Sequence, residues 1–175
     1  MNCESPPPPA GRRFDLAAPR LMENSEPIGL GSDDAGFALK EILKAHLTSL
    51  GVAVNDYGCH TDAPVDYPDI ALALARDVAS GRLRRGVLVC GTGIGMAIAA
   101  NKVPGVYAAQ AHDTYSAERA RKSNNAQIVT LGARIIGPEL AKQVLDHWLA
   151  SEFAGGASAR KVGKIVAAES GGGRT

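Results

Sequence analysis

Short apolar runs alternate with stretches of helical apolar spacing from Pro27 to Glu169. Ile28-Gly29-Leu30-Gly31 reads as a buried strand that ends at Ser32-Asp33-Asp34. Phe37, Leu39, Ile42, Leu43, Leu47 and Leu50 then share one helical face, and Gly51 supplies the residue that stops the helix. A second strand is expected over 52–54, followed by a loop rich in Gly, Asp and Pro. Helical spacing returns over 70–78. Residues 86–90, Gly-Val-Leu-Val-Cys, are continuously apolar, as in a parallel strand covered on both faces. Helices are further predicted over 96–102, 115–122, 138–149 and 159–169, with strands over 106–110 and 127–131. Pro138 suits the first turn of its helix.

Five strands alternating with helices predict an α/β domain, a doubly wound five-stranded parallel sheet of Rossmann or flavodoxin-like type with a C-terminal helix. The expected strand order is 2-1-3-4-5. That order opens a crevice at the C-terminal ends of strands one and three, where the loops begin at Asp33 and Cys90. The domain is expected over 26–170, with a flexible tail at 171–175. Residues 1–25, with four consecutive prolines at 6–9 and then Arg12 and Arg13, read as a disordered Pro-rich leader. They contain no apolar h-region of a secretory signal.

Composition narrows the function classes. Nineteen basic residues balance eighteen acidic ones in a chain of 175, which argues against a nucleic-acid surface. No apolar run reaches membrane-spanning length. The three cysteines, Cys3, Cys59 and Cys90, have unrelated spacings, which points away from disulfides and towards a reducing, cytoplasmic setting. The four histidines contain no pair at metal-site spacing, so no metal is expected.

The chemistry concentrates in Cys90-Gly91-Thr92-Gly93-Ile94-Gly95-Met96. Alternate glycines let the backbone approach a ligand, and the following helix offers free N–H groups to a phosphate or an enediolate oxygen. The same cluster alone could be a tight turn or a dinucleotide fingerprint. The latter is disfavoured because the loop follows the third strand and lacks the downstream acidic residue. Cys90, at a strand end before a helix N-terminus, could serve as base or nucleophile, or simply be a small buried hydrophobe. Asp33-Asp34 could bind sugar hydroxyls, with a helix N-cap at Asp34 as the plain alternative. A phosphoacceptor receiver needs an aspartate where Cys90 stands. Asp66-Tyr67-Pro68 and Asn124-Asn125 could be helix-boundary turns, and residues 81–85 a solvated basic turn.

Five blocks in order carry a resemblance: Ser32-Asp33-Asp34-Ala35-Gly36, Asp66-Tyr67-Pro68, Cys90-Gly91-Thr92-Gly93-Ile94-Gly95, Ala99-Ala100-Asn101-Lys102-Val103-Pro104-Gly105 and Gly132-Ala133-Arg134-Ile135-Ile136-Gly137. Over residues 27–169 the chain resembles the type B ribose-5-phosphate and galactose-6-phosphate isomerases. The resemblance implies a cofactor-free aldose–ketose isomerase working through a cis-enediolate, in a homodimer or tetramer whose active sites lie between subunits. It implies Cys90 as the base and Thr92 as a proton relay. The backbone of Gly91, Gly93, Gly95 and Met96 would stabilise the enediolate. Asp33, Asp34, Tyr67, Asn101, His112 and Asn124 would bind substrate, and Arg134, Arg160 and Lys161 the phosphate.

Three departures from the family pattern bear on substrate. Asp34 stands where the family commonly has histidine, Ser123 where it has a ring-opening histidine, and Ala157 where it has a phosphate-binding arginine. The segments from His112 to Arg119 and Ser123 to Gln127 resemble a branch that includes erythrulose-4-phosphate isomerases. A tetrose 4-phosphate has O4 esterified and forms no five-membered ring, so its isomerase needs no ring-opening histidine. Ribose 5-phosphate remains open if His112 opens the ring. Two rival readings stand beside these: turnover of a non-phosphorylated sugar, and a sugar- or nucleotide-binding module without turnover.

Overall fold

The structure is a computed structural model that describes residues 27–171. The leader at 1–25 and residues 172–175 of the expected tail lie outside the described residues. The chain runs β1 (Ile28–Ser32), a single 3-10 turn (Asp34–Gly36), α1 (Phe37–Ser49), β2 (Val54–Asp56), α2 (Tyr67–Ala79), β3 (Gly86–Cys90), α3 (Ile94–Ala100), β4 (Ala108–Gln110), α4 (Thr114–Lys122), β5 (Ile128–Gly132), α5 (Pro138–Leu149) and α6 (Gly156–Gly171). Every pairing in the five-stranded sheet is parallel. Among the described residues no helix is long and apolar enough to cross a membrane.

The fold class is as expected, but the strand order is 2-1-3-5-4, with the last two strands exchanged. The reason lies in their side chains. The five residues of β5 are buried throughout, so the strand needs neighbours on both edges. The three residues of β4 are only partly buried and end in exposed Gln110, which suits an edge. Right-handed crossovers then sort the helices. Steps towards β3 and β4 place α2 and α3 on one face, packed together. Steps in the other sense place α1 and α4 on the opposite face with α5.

Two cores result. One joins Leu39, Leu43 and Leu47 of α1 to Val87, Val89, Val129 and Leu131 of the sheet and to Trp148 of α5. The other joins Leu74 and Val78 of α2 to Leu88, Cys90, Met96 and Ile128. Adjacent residues of β3 thus feed opposite cores, the period-two consequence of a sheet covered on both faces.

Three local expectations change. The side chain that caps the first turn belongs to Asp33, whose Oδ1 accepts the Gly36 N–H at 2.9 Å, and not to Asp34. The strand expected over 52–54 starts its ladder at Val54, because Val52 turns inward under α1. The basic turn at 81–85 is only partly solvated: Leu83 and Arg85 are each 1% exposed. Arg85 donates to the Trp148 and Leu149 carbonyls at 3.3 and 2.7 Å, closing the C-terminus of α5. It also donates to the Ser151 carbonyl and to Glu152 at 2.7 Å each. Burial pulls its guanidinium down to about 10, against the opposing pull of Glu152. Three arginines, Arg84, Arg85 and Arg121, converge on that single carboxylate.

Candidate active site

The C-terminal ends of β1 and β3 flank a cavity of about 490 Å³, as the crevice rule anticipates. Its lining consists of Asp33, Ala35, Tyr67, Cys90, Gly91, Thr92, Ile94, Gly95, Ile98 and Arg134. Cys90 closes β3 and is 5% exposed. The backbone after it turns back so that the Gly93 N–H donates to the Cys90 Sγ at 3.0 Å. Gly93 achieves this at φ +81°, in the left-handed region, where an added Cβ would also sit 3.0 Å from the Leu131 backbone. Thr92 is exposed at the loop's tip, and its Oγ1 accepts the Ile94 N–H at 3.3 Å. Gly95 and Met96 occupy the first turn of α3, where N–H groups have no intrahelical acceptor.

Asp33 enters from β1. Burial raises its carboxyl above the ordinary range, and neighbouring Asp34 adds to this; the Gly36 N–H and the Arg134 guanidinium oppose both. One oxygen caps the turn, and the residue lines the cavity. Tyr67 begins α2, with Pro68 in the first turn, and lays its ring against Gly95. A Cβ at Gly95 would lie 2.7 Å from that ring, so the third glycine of the loop is a seat for Tyr67. Arg134 follows β5; its N–H donates to the Gly91 carbonyl at 3.0 Å, and its side chain lies over the Gly91 face.

Seven of the sequence-derived residues therefore converge on one cavity: Asp33, Tyr67, Cys90, Gly91, Thr92, Gly95 and Arg134. Others are placed differently. Asp34 is exposed beside the cavity, its Oδ1 3.5 Å from the Val65 N–H. Met96 is fully buried in the core beneath α3. Asn101 spends both ends of its amide on backbone: Nδ2 donates to the Ala97 and Ala108 carbonyls, and Oδ1 accepts the Ala108 N–H. This fastens α3 to β4. His112 follows β4 near the cavity, where its Nε2 accepts the Gly132 N–H at 2.9 Å. Burial lowers its pKa from the usual 6.5, with Asp113 partly offsetting. Ser123 accepts two bonds from the Arg119 guanidinium.

Asn124, Arg160 and Lys161 lie outside the cavity lining. Asn124 precedes β5, so it belongs to the N-terminal end of the sheet, the end away from the cavity. The segment leading into α6 is fastened at that same end, through Glu152 to Arg85 before β3 and through the Ala154 N–H to the Lys122 carbonyl. Sequence reasoning overlooked the apolar wall of Ile94 and Ile98, which are 51% and 59% exposed. Nothing in helical spacing separates a cavity wall from an outward face. Among the described residues no group of three or more His, Cys, Asp or Glu could hold a metal ion.

A family model described as Ribose/Galactose Isomerase matches residues 28–165. The chain is 54% identical over 140 residues to the D-erythrulose-4-phosphate isomerase of Pectobacterium atrosepticum, covering 79% of this chain and 91% of that one. It is 51% identical over 135 residues to a ribose-5-P isomerase B of Listeria innocua, covering 77% and 91%. The solved ribose-5-phosphate isomerase B of Clostridium thermocellum superposes with a TM-score of 0.81 at 46% identity, over 82% of this chain and 97% of that one.

Proposed function

The chain belongs to the ribose/galactose isomerase family, and on that footing we propose that this sugar-phosphate aldose–ketose isomerase works through Cys90 and favours a tetrose 4-phosphate. The observation that carries the reading is the Cys90 sulfur at a strand end, held by the Gly93 N–H and opening into a cavity with Thr92, Asp33, Tyr67 and Arg134. Cys90 removes the proton from C2 of the aldose and returns it to C1. Thr92 moves the matching hydroxyl proton between the two oxygens, so the product differs from the substrate only in where two hydrogens sit. The N–H groups of Gly95 and Met96 face the negative charge of the cis-enediolate. Asp33 and Tyr67 hold hydroxyls, and Arg134 contributes to the phosphate.

The choice of a tetrose rests on the absence of a ring-opening acid–base. Ser123 is engaged by Arg119, and His112 uses Nε2 to accept a backbone N–H. A histidine held neutral in that way is poorly placed to donate a proton to a ring oxygen. An open-chain substrate requires no such donation. The rival substrate is ribose 5-phosphate, favoured by the 51% identity to the Listeria innocua protein.

Asn124, Arg160 and Lys161 can serve this chemistry only from a second copy of the chain, because they belong to the other end of a sheet about 16 Å long. The proposed unit is a cytosolic homodimer with its sites between subunits. Exposed Ile94 and Ile98 at the cavity, and exposed Ile165 on α6, are apolar area that such a contact would cover. The test is an isomerisation assay on erythrulose 4-phosphate, ribose 5-phosphate and their non-phosphorylated counterparts. Higher kcat/KM on the tetrose phosphate is the expected result. Preference for ribose 5-phosphate overturns the tetrose assignment, and no turnover of any phosphate overturns the reading itself.

A further inference from the structure

Thr130 is a hydroxyl in a strand that otherwise reads Ile-Val-Leu-Gly, and it is completely buried. Gln110 ends the edge strand β4 and is its direct partner in the ladder. Leu88 is the partner of Thr130 on the other side, so all three side chains share one face. That face is the one covered by α3 and the glycine loop.

Each of the two polar side chains ends on a carbonyl of the loop. Gln110 Nε2 donates to the Thr92 carbonyl at 2.6 Å. Thr130 Oγ1 donates to the Gly93 carbonyl at 2.9 Å. A peptide group is planar, so a carbonyl held on one side aims the N–H on the other. The N–H opposite the Thr92 carbonyl is that of Gly93, which donates to the Cys90 sulfur. The N–H opposite the Gly93 carbonyl is that of Ile94, which donates to the Thr92 hydroxyl oxygen. Two consecutive peptide planes are thus clamped from behind by neighbouring strands, and their front edges reach the two side chains assigned to proton transfer. A donor on a carbonyl also polarises the peptide and strengthens the N–H at its far side.

We propose that Gln110 and Thr130 are positioning residues for the isomerisation, which set the orientation of the Thr92–Gly93 and Gly93–Ile94 peptides and through them the Cys90 sulfur and the Thr92 hydroxyl. The inference rests on the reading that Cys90 and Thr92 perform the chemistry. Neither residue lines the cavity. Without Gln110 the Thr92–Gly93 peptide is free to turn its carbonyl towards the sulfur, which repels a thiolate. The Gly93 carbonyl, which also accepts the Ala97 N–H at 3.1 Å, loses one of two donors without Thr130.

The test uses Gln110→Leu, Thr130→Val and Thr130→Ser in the full-length protein. Gln110 is exposed, so its variant folds even if the buried Thr130→Val does not. Gln110→Leu and Thr130→Val should each lower kcat about 10-fold, the scale of one lost positioning hydrogen bond, with KM within about twofold. Thr130→Ser, which keeps the hydroxyl, should retain most of the wild-type kcat. A second readout needs no turnover: in labelled protein, Gly93 amide hydrogen exchange should accelerate in Gln110→Leu, and Ile94 exchange in Thr130→Val. Unchanged kcat and unchanged exchange in Gln110→Leu overturn the inference, as does an equal loss in Thr130→Ser and Thr130→Val. Cys90→Ala measured alongside separates the two ideas. If Cys90→Ala is active, the functional reading fails while the exchange data still judge the clamp. If it is inactive and the clamp variants match wild type, only the clamp fails.

Discussion

The two ends of the sheet differ in how much of their job one chain completes. At the C-terminal end the glycine loop is held on every side: Cys90 accepts Gly93, Ala133 donates to the Cys90 carbonyl, and Arg134 to the Gly91 carbonyl. Gln110 and Thr130 complete that hold from behind, so a single chain supplies every one of these contacts. At the N-terminal end, α6 is held through Glu169, which accepts the Gly105 N–H at 3.0 Å, and only Val162 is buried among the residues flanking Arg160 and Lys161. Arg160 and Lys161 there are both exposed. In the proposed two-fold dimer, each chain's rigid half-site would be completed by the outward-facing basic helix of its partner, an isologous contact.

The largest effect should come from the rigid half. Cys90→Ala is expected to lower kcat by about 100-fold or more, the scale of a lost general base, in a steady-state assay. Near-native turnover in the folded variant removes Cys90 from the mechanism. The outward half should respond in binding instead. Arg160→Ala and Lys161→Ala together should raise KM by about 10-fold or more while kcat changes less, as for groups that hold ground and transition states alike. The comparison itself can be broken by mixing. Cys90→Ala protein and the Arg160→Ala/Lys161→Ala protein, each impaired alone, should regain about a quarter of wild-type activity after subunit exchange, since half the dimers are hybrids with one intact site. No recovery under exchanging conditions shows that both halves act within one chain.

Ser123→His sharpens the substrate side of the same boundary. It should improve kcat/KM for ribose 5-phosphate by up to about 10-fold, short of the gain of about 100-fold from a fully positioned acid–base, and leave the tetrose nearly unchanged. The smallest effect is one of pH. His112 has a folded pKa below its unfolded 6.5, so the unfolded state takes up the proton first. Stability is therefore unaffected above about 6.5 and falls as pH drops through that value. Melting temperatures between pH 7 and 5 should decline, and His112→Asn should flatten the slope. An unchanged slope moves the acid sensitivity to another group.

Much of this was readable from one-dimensional pattern, and the exceptions share a cause. The parallel strands, the helix stop at Gly51 and the Cys90 loop at a strand end are local consequences of period, backbone freedom and chain direction. So is the convergence of Asp33 and Cys90, because topology alone sends both to the same edge. What the linear order left open was which strand borders which. The exchange of β4 and β5 was settled by the burial each could offer, and it is this exchange that seats Gln110 beside Thr130. The burial of Arg85 was equally out of reach: a basic run reads as solvated until α5 brings its last carbonyls and Glu152 to meet it. Asn101, which the family resemblance assigns to substrate, also clasps α3 to β4 through its amide, a contact that no spacing announces. By itself the sequence determined the elements, their alternation and the chemistry stored at their ends. Only the tertiary structure decided neighbours, because hydrogen-bond partners and burial belong to pairs of segments far apart in the chain.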